Sequence, residues 1–443
     1  MAKGSVTNWL APLLAARPAL RGRHLRRRLA VYFAIIGPGV ITSSVNQDAG
    51  GIYTYSLAGA QFGYLLLWTV IPMGIAHYVT MEMSDRLGVV TGKGLSDLIR
   101  EEFGFRTTFF LMLALLAVNF GNILAEFAGV AAALSLFGIS KFVSVPAAAL
   151  LVWGVVLWGN YRTVEKIFLV GCVFYLSYVV SAFLAEPDWL LAGYHTVRPT
   201  IEWNTTYLLL VVGLVGSTIA PWQFFYLQAG VVERGLRPSD RWRAHTDLVS
   251  GTVALMVTIF CIILACAATL HESGILNIRD AADAAHALRP LAGEYAYLLF
   301  AVGLLMASLL AASIVPLSTT YTICEGLGVE ASLDRPFREA PIFYSLYTAL
   351  IVVGAGLILL PGTPLVRVMV LSQVVNGFLL PVILLFLLVL VNRRDLMGEW
   401  RNTRRRNVIA WFTAGIMIAL ALLLLGLLLT GHPVVLGFWA GGG

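Results

Sequence analysis

Charge is what this sequence has least of. Of its 443 residues only 12% are Asp, Glu, Lys or Arg, about half the share found in a soluble domain. Hydrophobic residues make up 59%, and mean hydropathy is +0.83. A chain this poor in charge cannot cover a water-facing surface, so a soluble globular fold is excluded. The chain also lacks a Ser/Pro-rich linker, a low-complexity tract and a long soluble insertion; its longest polar connections are 186–205 and 271–293. Its four cysteines, Cys172, Cys261, Cys266 and Cys324, lie in apolar runs without CxxC spacing. They read as small core hydrophobes rather than a disulfide or metal set. No HExxH, GxSxG or Gly-rich phosphate loop is present, which excludes the common hydrolases and ATP-driven chemistry. The basic residues have neither a soluble platform nor interleaved aromatics, so nucleic acid is not a partner. No cofactor and no obligate protein partner are expected.

Long apolar runs are what the chain has in abundance. They cover 31–60, 64–83, 109–136, 142–158, 167–185, 207–230, 248–270, 295–323, 342–360, 366–391 and 408–430. Each can cross a hydrocarbon core of about 30 Å as a helix. Backbone amides cannot be left unpaired in lipid, so these runs predict an all-α polytopic membrane protein of about eleven spans. The pI near 9.2 is a topology signal. With the N-terminus inside, every lysine and arginine except Lys141, Arg198, Arg279, Arg289 and Arg367 falls on the cytoplasmic side. The positive-inside rule therefore places the N-terminus in the cytoplasm and the C-terminus outside, in the cell (inner) membrane. The basic stretch "RGRHLRRRLAVYF" reads as a retained cytoplasmic anchor, because the apolar run after it is too long for a signal peptide. The expected organisation is a basic tail at 1–30, one transport domain at 31–430 and a short extracytoplasmic tail at 431–443. Within the domain, repeats run from about 31 to 186 and from 206 to 392, with an extra span at 407–430.

Two spans are interrupted. Span one breaks at "NQDAGG", residues 46–51, and span six at "VGSTIAPWQFF", residues 215–225. Gly50 and Gly51 loosen helix preference, and Pro221 removes an amide donor. The two breaks are separated by five spans, an odd number, so the halves are inverted relative to each other. Paired broken helices in inverted halves mark the substrate site of secondary transporters, near the bilayer midplane. Asp48 is the leading candidate there, since a carboxylate in mid-span is costly unless it has a function. Freed carbonyls, notably those of Val45 and Ser217, would add neutral oxygens. A carboxylate with carbonyls describes a cation site. Ala220 stands where a span-six side chain could have projected, and Gly51 removes another. The result is an oxygen-only, roomy site suited to a hard divalent ion that keeps part of its water shell, with Mg²⁺ foremost.

Several stretches in order resemble the Nramp divalent-metal transporters. They are "GPGVITSSVNQDAGGIYTYSLAGAQFGYLLLW", "RLGVVTGKGLSDLIREEFG", "IAPWQFFYLQAGVVERG" and "LSQVVNGFLLPVILLFLLVLVNRRDLMGEW". The resemblance runs from about Ile36 to Glu399 and implies a LeuT-like fold, five plus five inverted spans with an eleventh added, unwound in spans one and six. Asp48 keeps the family's Asp, whereas Ala49 replaces its Pro and Gly51 its metal-binding Asn. The family's span-six Met-Pro-His is here Ala220, Pro221, Trp222. Ala220 thus removes a soft thioether that discriminates among metals, and Trp222 replaces a titrating His. The span-three Asp and Glu correspond to Glu126 and Gly129. This pattern is most similar to the Nramp-related magnesium transporters, and it implies facilitated uptake of hydrated Mg²⁺, with Mn²⁺ permitted, uncoupled from protons.

The remaining expectations are these. Gln373 matches a family Gln that approaches the ion, or is a packing amide. Gln223 holds a hydrating water or caps a half-helix. Glu126 is a remnant proton relay or a carboxylate in an aqueous vestibule. His77, Asn119 and Asn122 are interhelical hydrogen-bonding residues. Glu82 and Asp85 form a solvated cluster beside Arg86. The competing functions are a proton-coupled Mn²⁺/Fe²⁺ transporter, a LeuT-like carrier of an organic cation or amino acid, and, last, a non-transporting metal sensor.

Overall fold

The computed structural model describes residues 47–158, 176–236, 241–278, 283–284, 289–329 and 337–429. The expectations for Val45, for both tails and for the start of span one lie outside these residues. Among the described residues every regular element is helical. Eight helical stretches are long and apolar enough to cross a membrane, and a shorter apolar one spans Lys141–Leu157. Large hydrophobic side chains such as Phe110, Leu150, Val352 and Phe412 face outward, each more than 60% exposed. In water such a surface would aggregate; in lipid it is ordinary.

Helix α1 (Ala49–Phe62) begins at Ala49 because Asp48, extended at φ −64° and ψ 172°, accepts the Gly51 N–H at 2.5 Å. This is N-capping, which satisfies an amide that the first turn leaves without a helical partner. Gly50 and Gly51 are therefore in the first turn of a helix. The expectation that they unwind the backbone is corrected: the break lies before Ala49. Helix α1 ends at Gly63, whose φ of 56° suits glycine. A tight turn at Gly63–Thr69 leads into α2 (Val70–Thr91).

Helix α3 (Leu95–Ser135) is bent at Gly104, which divides a short first arm from the longer remainder. Next come α4 (Lys141–Trp158), α5 (Leu176–Leu184) and α6 (Trp189–Val197). The sixth predicted span is two helices, α7 (Thr205–Thr218) and α8 (Pro221–Glu233). Between them Ile219 and Ala220 leave helical geometry, at φ −124°, ψ 70° and φ −78°, ψ 142°. Pro221 opens α8 at the position where its missing N–H is not needed. The chain continues through α9 (Arg241–Cys266), α10 (Arg289–Leu327), α11 (Pro341–Ile358), α12 (Leu365–Asn392), the single turn α13 (Arg394–Met397) and α14 (Arg404–Leu429).

Helix α3 packs chiefly on α10 and α12, and α12 also holds α7 and α1. These contacts place the start of α1 and the α7–α8 break in the interior. Close approach of α12 depends on small residues. A Cβ at Gly216 would stand 2.2 Å from the Gln373 carbonyl, and one at Gly377 would stand 2.6 Å from Val212. Stripes of this kind let membrane helices touch backbone to backbone.

Candidate functional site

Asp48 is only 3% exposed and Glu126, on α3, is fully buried. Glu126 stands beside Asp48, against the first residue of α1. Two buried carboxylates side by side repel each other, so this arrangement favours a cation or a proton between them. Glu126 Oε2 also accepts the Ala49 N–H at 3.2 Å, which fastens α3 to the first turn of α1. Among the described residues no lysine or arginine pairs with either carboxylate. Two buried acceptors here, Gln47 Oε1 and Glu126 Oε1, have no hydrogen-bond partner. Buried acceptors without donors call for a ligand that supplies positive charge or protons, such as a metal ion or its water.

An amide chain orients Asp48 from the opposite side. Asn122 and Asn376 exchange hydrogen bonds at 2.9 and 3.1 Å. Asn376 donates to Gln373 Oε1 at 3.2 Å, and Gln373 Nε2 donates to Asp48 at 3.2 and 3.4 Å. Gln373 thus turns its amino group, not its oxygen, toward Asp48. In this conformation it positions the carboxylate and is not an oxygen ligand. Asn122 bridges helices as expected. Asn376 was absent from the predicted site, though it lies one turn after Gln373 in the polar string "SQVVN", which was the available signal. Gly50 is needed for this contact, because a Cβ there would stand 2.1 Å from Gln373 Nε2.

The second break joins the site through α1. Ser217 Oγ donates to the Leu214 carbonyl at 3.0 Å and shares a hydrogen bond with Tyr55 Oη at 3.1 Å. The Ser217 carbonyl belongs to the last turn of α7, where carbonyls run out of helical donors. Gln223 takes the capping role: its Nε2 donates to the Thr218 carbonyl at 3.5 Å, and its N–H to the Ala220 carbonyl at 3.2 Å. The Ala220 methyl is buried at the start of α8. Trp222 is buried too, with its carbonyl accepting from Ser318 Oγ on α10 at 3.1 Å. Hydrogen bonds therefore link Asp48 to Gly51 and Gln373 and Glu126 to Ala49, while Ser217 bonds to Tyr55 of α1. Ala220, Trp222 and Gln223 line the second break, and Val45 lies outside the described residues.

Three expectations for other polar residues can be compared with the structure. Glu126 is fully buried against the start of α1 and opens on no aqueous vestibule in this conformation. The Glu82–Asp85–Arg86 cluster is not solvated: all three side chains are buried. Arg86 pairs with Glu82 at 3.2 Å, donates to the Trp400 carbonyl, and reaches Asn402 Oδ1 at 2.5 Å. Arg406 pairs with the same Glu82 at 3.2 Å. The segment between α12 and α14 folds over the end of α2 and removes the cluster from water. His77 bridges to Thr252 on α9 at 3.1 Å, and Asn119 to Thr319 on α10 at 2.9 Å, as interhelical residues.

Gly129 lies one turn beyond Glu126 on α3. A Cβ there would stand 2.3 Å from the Ala49 Cβ and 2.4 Å from Ser308 Oγ. The place of a second acid on this face is occupied by the start of α1.

The model of the natural resistance-associated macrophage protein-like (Nramp) family matches residues 39–427. The chain is 30% identical over 419 residues to the divalent metal cation transporter MntH of Burkholderia ambifaria, covering 92% of this chain and 91% of that protein. It is 29% identical over 433 residues to MntH of Deinococcus radiodurans, covering 94% of each. Among solved structures, the manganese transporter of Eremococcus coleocola has a TM-score of 0.72 at 22% identity, covering 89% of this chain and 86% of that one. Mhp1, a nucleobase-cation-symport-1 family transporter, has a TM-score of 0.55 at 15% identity, with coverage of 91% and 92%. These structural likenesses establish the LeuT-like helical arrangement. Sequence match and fold agree over nearly the whole length: this multi-span membrane protein belongs to the Nramp family.

Proposed function

We propose that the protein carries divalent metal cations across the membrane by alternating access, with hydrated Mg²⁺ preferred, Mn²⁺ also accepted, and no coupled proton flux. The observation that carries this reading is the buried Asp48–Glu126 pair with unpartnered acceptors beside it. Two carboxylates facing one another attract a divalent cation more strongly than a singly charged organic ammonium. The oxygens around them are hard ligands, and among the described residues no thioether or imidazole joins them, a set that suits Mg²⁺. An arriving ion draws Asp48 away from the Gln373 amino group. Carbonyls of the last turn of α7, Ser217 among them, supply further oxygens or hold the ion's waters. With the N-terminus cytoplasmic, the membrane potential drives entry, worth about 2.3 kcal/mol per charge per 100 mV and twice that for a divalent ion.

A second reading, proton-coupled Mn²⁺ or Fe²⁺ transport, is favoured by the same contact, since a proton shared by Asp48 and Glu126 must leave when the ion binds. Proteoliposomes distinguish the two. Mg²⁺ influx that disappears in Asp48→Asn, without acidification of the lumen reported by a pH-sensitive dye, is the expected result. Undiminished flux in that variant overturns the site. Stoichiometric proton entry with the metal transfers the assignment to the second reading.

A further inference from the structure

A cavity of about 340 Å³ opens between α2, α7 and α14 on the lipid-facing side of the protein. It lies apart from the Asp48 site and is lined almost wholly by apolar side chains. Helix α14 contributes Val408, Ile409, Phe412, Thr413, Ile416 and Met417 in successive pairs, with Leu420 beyond. That spacing is one helix face. Continued one turn toward the start of α14, the same face reaches Arg404 and Arg405, at i−4 from Val408 and Ile409.

These two arginines differ from their neighbours. Arg406 is paired with Glu82, and Arg393 is paired with Asp395 and Glu102. Arg404 and Arg405 are exposed, and among the described residues neither has a carboxylate partner. Arg401, also exposed, stands beside them, with Glu399 the nearby exposed acid. The Glu82–Arg406 pair sets the register of α2 against α14, so both arginines lie at the end where α2 terminates, the cytoplasmic end by the positive-inside rule. From Arg404 to Leu420 the helix rises about 24 Å, enough to lead from a headgroup through a leaflet's half of a core of about 30 Å.

We propose that this groove is a binding site for an anionic phospholipid of the cytoplasmic leaflet. Its phosphate lies on Arg404 and Arg405, and one acyl chain rises along Val408, Phe412 and Ile416. Charge complementarity at one end and an apolar trough continuing from it are the two halves of one ligand. Basic residues at the cytoplasmic end of a spanning helix attract anionic lipid by about 1 kcal/mol each. The trough makes the site selective for a lipid rather than a soluble phosphate. The inner wall of the groove includes Val215 of α7, Ile219 of the α7–α8 break and Met73, whose sulfur takes the Thr218 hydroxyl at 3.7 Å. The seated chain therefore lies directly behind the hinge of the broken helix. The inference does not depend on which ion the protein carries.

Native mass spectrometry of the purified full-length chain tests it, with phosphatidylglycerol and phosphatidylcholine of identical chains supplied together in detergent. The wild type should retain phosphatidylglycerol over phosphatidylcholine by about thirtyfold. Arg404→Gln with Arg405→Gln should bring the ratio to about one, and Arg404→Lys with Arg405→Lys should preserve it. Thr413→Trp, which fills the trough, should lower retention of both lipids while the arginines remain. Equal retention of the two lipids by the wild type overturns the proposal, as does an unchanged ratio in the double glutamine variant. Full retention in Thr413→Trp removes the groove from it. Glycerophosphoglycerol, the headgroup without chains, should raise the melting temperature far less than the intact lipid; an equal rise would mean that the arginines bind any phosphate and that the trough is not part of the site.

Discussion

Replacing Gly129 by alanine places one methyl group where α1 and α3 meet, and the structure sets the consequence. The new Cβ would lie 2.3 Å from the Ala49 Cβ and 2.4 Å from Ser308 Oγ, whereas carbon atoms pack at about 3.5–4.0 Å. Ser308 can turn away only by giving up its 2.8 Å hydrogen bond to the Leu304 carbonyl, a loss of about 1 kcal/mol. Ala49 cannot turn at all. The first turn of α1 must shift by roughly 1 Å to reach normal contact, which lengthens the 3.2 Å bond between the Ala49 N–H and Glu126 beyond bonding range. Overpacking of this kind costs about 1–3 kcal/mol. Because the displaced turn carries the Asp48 cap, the strain falls on the proposed ion site. Metal affinity measured by calorimetry should weaken by roughly 5- to 100-fold, with a lower melting temperature in detergent. Ala49→Gly in the same chain removes the other half of the clash and should restore most of both quantities. Wild-type affinity in Gly129→Ala, or no rescue by Ala49→Gly, would refute the reasoning.

Two further outcomes are expected. Arg86→Met keeps much of the side-chain volume but removes the charge that Glu82, the Trp400 carbonyl and Asn402 share; breaking a buried pair costs about 3–5 kcal/mol. Thermal denaturation and protease nicking near 398–403 should both reveal it, and a melting temperature equal to the wild type would show that the network is unimportant. Gly51→Asn with Ala220→Met adds an amide in the first turn of α1 and a thioether at the start of α8. It should shift the ratio of Mn²⁺ to Mg²⁺ uptake toward Mn²⁺, and an unchanged ratio would exclude these positions from selectivity.

Much of this was readable before folding. Asp48 stood out because a carboxylate within an apolar run has few uses other than binding charge, and Pro221 marked the second break because its ring cannot continue a helix from Ala220. Gly50 and Gly51 were misread as helix breakers. Asp48 is a preferred N-cap residue, so the same letters that suggest a break also start a helix, and Gly50 serves the close approach of Gln373. The Glu82–Arg86 pair shows the other limit. Its i, i+4 spacing is evident, yet whether it meets water depends on Trp400 and Asn402, more than 300 residues away in the chain.

Run length and scarcity of charge were enough to establish an all-helical, multi-span membrane protein. Those features are local, and lipid permits few alternatives to a helix. Which polar atoms meet inside was a property of packing. Asp48 faces Glu126 because Gly129 lets α1 settle on α3. Gln373 turns its amino group to Asp48 because Asn376, itself held by Asn122, takes its oxygen. Such pairings are set by how helices distant in sequence lie against each other to within a fraction of an ångström, and no single segment carries that information.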